Sequence, residues 1–318
     1  MSNKNSDGTS DPTEPIHMEP EDYASSKLEA GQLLWHYTKD FSGLNGIIGG
    51  EIWASSLPYL NDTEEFRYGV SVALDTLKEL LDDNAHMQAL WIKLANGLLV
   101  QYTPHDVFSI SFSTEEDDLS QWRAYSGTGP SFSVGFDPRK LEAHAIGYLF
   151  QLHEVKYKKV DIAADVKQEL KEEIDYLNNA VRSCSESTSP AEFAKQQTPG
   201  MLTLILQLAP RYKHPKFSGE KEWRLIRWMP VISRKPRLPR RFRLSGSLVV
   251  PYIAMPLHTP LQEAAVVSGA EQVESPMSAV TIGPSPHKDQ LEFAIGDITA
   301  RCGLSVQVKS SEVPFRNW

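Results

Sequence analysis

His36 closes an apolar run, Leu33-Leu34-Trp35-His36-Tyr37-Thr38, where a buried strand would fix its orientation toward a cleft. Histidine is the side chain best suited to hydrogen bonding or proton transfer near neutral pH, although a single histidine is more often structural. Far downstream, Glu220-Lys221-Glu222-Trp223-Arg224-Leu225-Ile226 sets a carboxylate beside a tryptophan. Partial loss of water around Glu222 would suit it to acid–base work or to stabilising a cation. A salt bridge from Glu222 to Arg224 or Arg123 is the competing reading. Between the two stretches lies Gln121-Trp122-Arg123-Ala124-Tyr125. Arg123 can stack on an aromatic ring and grip a phosphate or carboxylate through two parallel hydrogen bonds. Gly127 and Gly129 permit the close backbone approach that anion loops need. The same block fits an Arg123 paired inside the domain with Asp117, Asp118 or Glu222, with Trp122 as core.

Other chemistry is weaker. Asn61-Asp62-Thr63-Glu64-Glu65 offers carboxylates for Mg²⁺, but acids at a helix start are explained by the positive end of the helix dipole. His105, His153, His214, His258 and His287 lack metal-ligand spacing, so no metal is expected. The stretch from Arg234 to Arg243 carries six cations in ten residues. It reads as a solvated loop between strands or as a contact for nucleic acid or a phosphate-bearing ligand.

These residues must be held by a fold. Residues 1–30 are rich in Ser, Asp, Glu and Pro and read as a flexible tail, with residues 31–318 as one α+β domain. Strands are expected from Leu33, from Ile52 to Ser55, Val107 to Ser113, Ser131 to Phe136, Leu152 to Tyr157, Glu222 to Trp228, Leu248 to Ala254, Ala279 to Ile282 and Ser305 to Lys309. Asp40 would cap a helix through Ile48 that Gly49-Gly50 ends. Helical periodicity follows from Thr63 to about Asp82, from Asn84 to Val100, and from Lys288 to Cys302. One long helix is expected from Val160 to about Cys184, and another from Ala191 to Leu208 interrupted at Pro199-Gly200. The helices of residues 158–212 read as an insertion on the sheet.

Composition narrows the classes. The chain has 318 residues, 41% hydrophobic and 23% charged, which is ordinary for a globular protein. A net charge of −9 argues against a general nucleic-acid-coating role. Two cysteines, Cys184 and Cys302, form no C-x-x-C pair and fit a reducing compartment. The opening residues have no apolar core of a secretory signal, and no run reaches the ~18 apolar residues of a membrane span. A cytoplasmic location without a membrane partner is the expectation.

Taken in order, His36-Tyr37-Thr38, Tyr59-Leu60-Asn61-Asp62, Phe108-Ser109-Ile110-Ser111-Phe112-Ser113, Leu119-Ser120-Gln121-Trp122-Arg123, Ser133-Val134-Gly135-Phe136-Asp137, Glu220-Lys221-Glu222-Trp223-Arg224 and Ile282-Gly283-Pro284 resemble a large, mostly bacterial family of domains of unknown function. The resemblance spans about residues 33 to 310. A more distant resemblance is to the ADP-ribosyltransferase fold, with an early histidine on a strand and a glutamate on a late one. It implies a central mixed or mostly antiparallel sheet with flanking helices and a helical insertion. It also implies NAD as substrate, with Glu222 and His36 catalytic and Glu220 completing a Glu-x-Glu pair. Tyr37, Thr38, Asn61, Gln121, Trp122, Arg123, Tyr125, Glu220 and Arg224 would bind the nucleotide, Arg123 taking the pyrophosphate. The second-strand Ser-Thr-Ser signature and the tyrosine spacing of that superfamily are not matched.

The leading expectation is an NAD-dependent ADP-ribosyltransferase-like enzyme or NAD glycohydrolase. It would serve as a toxin or phage-defence effector acting on nucleic acid or protein. The alternatives are a non-catalytic nucleotide- or peptide-binding module in the same cleft, and a metal-dependent phosphodiesterase or nuclease using Asp62, Glu64, Asp117 and Asp118.

Overall fold

The computed structural model describes residues 23–60, 63–100, 106–125, 129–184, 188–229, 238–258 and 275–314. The strand that organises it is β3, Val107–Ser113. Phe108, Ile110 and Phe112 alternate with Ser109, Ser111 and Ser113, so one face joins an apolar cluster and the other carries hydroxyls. Along one edge β3 pairs antiparallel with β6, Glu222–Trp228, in unbroken register from Ser113↔Glu222 to Val107↔Trp228.

The other edge of β3 is shared. β1, Leu34–Thr38, meets it only at Trp35↔Ser113. β2, Glu51–Ser56, meets it at Ser55↔Ser109 and Ser56↔Phe108. Between these anchors β1 and β2 diverge, and the sheet splits. β1 continues to β4 (Phe132–Phe136), β9 (Met277–Ile282) and the parallel edge strand β10 (Gln307–Ser310). β2 continues to β8 (Leu248–Pro256) and β7 (Arg240–Ser245), while β5 (Gln151–Glu154) flanks β6. Only the β9–β10 pair is parallel among the described strands, so the sheet is mixed and mostly antiparallel, as expected.

Helices cover both faces. α1 (Phe41–Ile48) is capped by the Asp40 carboxylate, which accepts from Gly43 N–H at 3.1 Å, and it ends at Gly49. α2 (Thr63–Leu80) and α3 (Ala85–Val100) follow, and then the short α4 (Leu119–Tyr125) and α5 (Pro138–Ile146). α6 (Lys159–Glu169), α7 (Lys171–Ser183), α8 (Pro190–Leu208) and α9 (Lys288–Arg301) complete the described helices. α1, α5 and α9 bury Leu44, Leu141 and Ile295 on the Phe108–Phe112 face. A second apolar cluster is built from α2, α3, α6, α7 and α8 against Val107 and Ile226. Among the described residues no helix is long and apolar enough to cross a membrane.

Four local expectations change. Residues 23–30, placed in the tail by composition, are packed: the buried Glu142 carboxylate accepts from Ala24 N–H and Ser25 N–H at 2.9 and 2.8 Å. The long helix bends at the fully buried Leu170, which keeps Ile162 and Val166 as well as Ile174 and Leu177 in the second cluster. α8 runs unbroken through Pro199, although a proline inside a helix costs about 3 kcal/mol. Phe193 and Ala194 on one side and Met201 and Ile205 on the other are buried and hold the helix across it. Finally, Arg240–Ser245 is a strand, not a loop. A two-residue turn at Gly246 (φ 59°) folds it onto β8, and Phe242 and Leu244 alternate with its arginines.

Candidate functional site

The split between β1 and β2 opens a cleft of about 900 Å³, lined among others by His36, Ser111, Tyr125, Lys213, Glu222 and Arg243. Its floor is the serine face of β3. Ser111 lies midway between the β1 and β2 anchors, and its carbonyl receives the His36 ring, Nδ1 to O 2.9 Å. A carbonyl only accepts, so Nδ1 carries the proton and Nε2 of the neutral ring is an acceptor. Burial lowers the His36 pKa from 6.5, against the Ser111 bond, and the Arg243 charge lowers it further. The ring packs on Phe112 with centroids 5.8 Å apart.

At one end of the cleft three carboxylates face two cations. Lys213 Nζ lies 2.7 Å from Glu65, 2.6 Å from Glu220 and 3.1 Å from Glu222. Arg224 donates from Nε and Nη2 to the two Glu222 oxygens at 2.7 and 2.8 Å, from Nη2 to Glu65 at 2.6 Å, and from Nη1 to the Pro210 carbonyl at 2.9 Å. Burial alone would raise the Glu222 pKa. The Arg224 and Lys213 charges, with hydrogen bonds from Arg224 and Ser111, outweigh it and hold Glu222 at about 2. Burial keeps Glu220 above its usual value despite Lys213. Burial and the Glu222 and Glu220 charges push the Tyr125 hydroxyl up to about 12, so it remains a hydrogen-bond donor at neutral pH.

The backbone aims these groups. Lys221 adopts a left-handed conformation (φ 44°, ψ 50°) between Glu220 and Glu222, a strained choice for a non-glycine residue. Its carbonyl accepts from Thr114 N–H, and the Glu222 N–H donates to Tyr157 Oη at 2.8 Å. Lys213 is fixed through its backbone N–H, which donates to the Lys156 carbonyl. Gly69 on α2 lets that helix approach the neighbouring turn; a Cβ there would stand 2.3 Å from the Ala209 carbonyl oxygen.

His36, Tyr37, Thr38, Gln121, Tyr125, Glu220, Glu222 and Arg224 therefore share one cleft. Two of the expected ligand-binding residues stand elsewhere. Trp122 is fully buried against Tyr37, and its Nε1 donates to Asp117 at 2.6 Å, so it is core. Arg123 is exposed on α4 and does not line the cleft; Arg224, not Arg123, is the partner of Glu222. The Tyr37 hydroxyl donates to the Glu115 carbonyl at 2.8 Å and accepts from Asp118 N–H, which makes it a clamp on the loop before α4. Asn61 and Asp62 lie outside the described residues, as do Arg234, Lys235 and Arg237.

Sequence reasoning missed Lys213, singled out Arg243 only as one cation of the stretch from Arg234 to Arg243, and gave Glu65 to helix capping. Glu65 instead joins the buried ion cluster. Its position beside Phe66 and one helical turn before Gly69 puts it on the inward face of α2, which periodicity could have shown. Asp117 and Asp118, weighed as metal ligands, accept protein hydrogen bonds. Asp117 takes Trp122 Nε1, Ser311 Oγ and Glu312 N–H, and Asp118 takes the N–H groups of Ser120 and Gln121.

A family described as "Protein of unknown function (DUF2971)" matches residues 121–225, a stretch running from α4 to β6 that includes Tyr125, Lys213, Glu220, Glu222 and Arg224. No curated protein and no solved structure matches the chain.

Proposed function

We propose that the cleft binds NAD and that the chain is an ADP-ribosyltransferase-like enzyme. The carrying observation is that His36 and Glu222, from strands on opposite edges of β3, line one cleft with a carboxylate-rich end and a guanidinium, Arg243, toward β2. The Glu65–Glu220–Glu222 end holds one negative charge more than Lys213 and Arg224 neutralise, and Arg243 sits toward β2. NAD has a cationic nicotinamide and an anionic diphosphate, which suits that polarity. In this reading His36 Nε2 accepts from a ribose hydroxyl and Tyr125 lies against the nicotinamide. The bond between the ribose C1′ and the nicotinamide nitrogen breaks, with its electron pair leaving on nicotinamide. Positive charge develops at C1′, where the surplus negative charge around Glu222 stabilises it. The acceptor, a nucleophile of a protein or nucleic acid or else water, then bonds to C1′ and loses its proton.

Nicotinamide release from NAD, followed by proton NMR, tests the reaction. Release by the wild-type chain that falls about a hundredfold in Glu222→Gln supports it; no release with any protein, nucleic acid or water as acceptor sinks it. Growth arrest by the wild-type chain but not by Glu222→Gln tests the accompanying role as a toxin or phage-defence effector.

One observation favours a second reading, a non-catalytic nucleotide-binding module. Both Glu222 oxygens are already taken by Arg224 and Lys213. Nucleotide binding without turnover would select it. The metal-dependent phosphodiesterase draws no comparable support, because Asp117 and Asp118 are spent on protein hydrogen bonds.

A further inference from the structure

Arg243 is a half-buried cation of this cleft that forms no ion pair among the described residues. It lies on β7 opposite Val250, and its side chain crosses over β8 to reach β2, a span of about two strand spacings or ~10 Å. There Nη2 donates to Ser55 Oγ at 3.0 Å, and the guanidinium lies 5.8 Å from the Trp53 ring centroid. No carboxylate forms an ion pair with it among the described residues, whereas its neighbours Arg240 and Arg241 are paired with Asp106 and Glu51. Its Nε is shielded from solvent and has no hydrogen-bond partner. Asp40 and Tyr252 act on it only through longer-range charge. Burial lowers its pKa against the opposing Tyr252 and Asp40 charges, whereas at Arg224 the Glu222 and Glu65 charges outweigh burial.

A half-buried guanidinium loses hydration that only an acceptor can replace. Here one side of the fork is fixed by Ser55 and the guanidinium lies over Trp53, so the group is held in place before any ligand arrives. His36, whose charged form Arg243 disfavours, lies within reach of the same field. We propose that Arg243 forms a phosphate-binding subsite on the β2 side of the cleft, one that takes a phosphate or diphosphate ester whose sugar lies toward His36. The role given to Arg123 by sequence thus passes to a residue from the far hairpin. Only the identity of the ester as a dinucleotide rests on the reading above; the subsite itself does not.

Calorimetric titration of the full chain with ADP-ribose, adenosine and inorganic pyrophosphate tests this. Wild type should bind ADP-ribose more tightly than adenosine. Arg243→Gln should weaken ADP-ribose about 10- to 100-fold and leave adenosine unchanged, as expected for loss of hydrogen bonds to a charged group. Arg243→Lys should restore part of the loss, because it keeps the charge without the fork. Pyrophosphate should compete with ADP-ribose in wild type and not in Arg243→Gln. Circular dichroism and thermal melts of both variants establish that they fold. Equal ADP-ribose affinity in wild type and Arg243→Gln overturns the subsite, as does a wild type without preference for ADP-ribose over adenosine. Should the ADP-ribose preference hold while no nicotinamide is released from NAD, the enzyme reading fails and the subsite stands. Should nicotinamide be released with the same KM in Arg243→Gln, the subsite fails alone.

Discussion

Glu222 and Arg224 stand two residues apart on β6 and meet through two parallel hydrogen bonds, 2.7 and 2.8 Å long. Their spacing places both on one face of the strand, toward the serines of β3. Arg224 extends the pair to Glu65, 159 residues away, so an ionic group that faces the cleft also fastens α2 to the sheet.

Glu222→Gln should therefore do two things. Removing one member of a buried pair costs about 3 kcal/mol, at the low end of the usual range because Arg224 retains Glu65. Urea unfolding should show that loss with an unchanged m-value. If the stability of Glu222→Gln equals wild type, the cluster does not carry the sheet–helix junction.

The stability gap between wild type and Glu222→Gln should also depend on pH. The Glu222 pKa is about 2 in the fold, against 4.5 for the free carboxyl. A depressed carboxylate contributes stability above the unfolded value, and loses it as pH falls toward the folded one. The gap should be about 3 kcal/mol at pH 7, begin to shrink near pH 4.5 and close near pH 2. A gap independent of pH across that window would show that Glu222 titrates normally.

His36 should behave oppositely in its chemistry and similarly in direction. Its pKa is lowered from 6.5, so protons bind the unfolded chain better and stability declines as pH drops below 6.5. Nucleotide affinity should stay flat through pH 6.5 and fall only in more acid solution, where Nε2 turns from acceptor to donor. His36→Ala should fold, lose about 1 kcal/mol with the Ser111 bond, and lose nucleotide binding. Affinity that titrates with a midpoint at or above 6.5 would contradict this account.

The packed start of the chain gives a contrast between two truncations. Removal of residues 1–22 should leave the melting temperature unchanged within a few degrees, since their composition offers little core. Removal of residues 1–30 strips the Ala24 and Ser25 N–H groups from Glu142 and uncovers the apolar contacts of Leu28. A loss of about 2 kcal/mol is expected, readable in the same urea titration. Equal melts for both truncations would return residues 23–30 to the tail.

Where periodicity and caps act locally, the chain was legible. The Asp40 cap and Gly49 stop of α1, and the apolar alternation of β3, lie where the residues said. α5 went unread although Asp137-Pro138 carries its cap and first residue, with Asp137 accepting from Arg139 and Lys140 N–H. β7 was hidden because its arginines dominate the local charge, yet Phe242 and Leu244 keep a two-residue period. The bend at Leu170 has no proline or glycine to announce it and follows from tertiary burial. In the cleft, His36 and Glu222 were legible as polar residues of apolar strands, although His36 stands in the middle of β1 rather than at its end. Lys213 was not, and Arg243 was legible only as one cation of the basic stretch, because each is given its place by partners on other elements: three carboxylates for one, Ser55 and Trp53 for the other.

The divergence of β1 and β2 along one edge of β3 bears on when the cleft comes into being. Its walls come from positions as far apart as 36 and 250, so no early portion of the chain contains a competent pocket. A ligand of this cleft would recognise the chain only once β1, β3, β6 and β8 are assembled. Saturating ligand at a hundred times Kd would then add about 2.7 kcal/mol to the folded state, which would make the ligand a reporter of finished folding and a shield against proteolysis of a sheet built from long-range pairings.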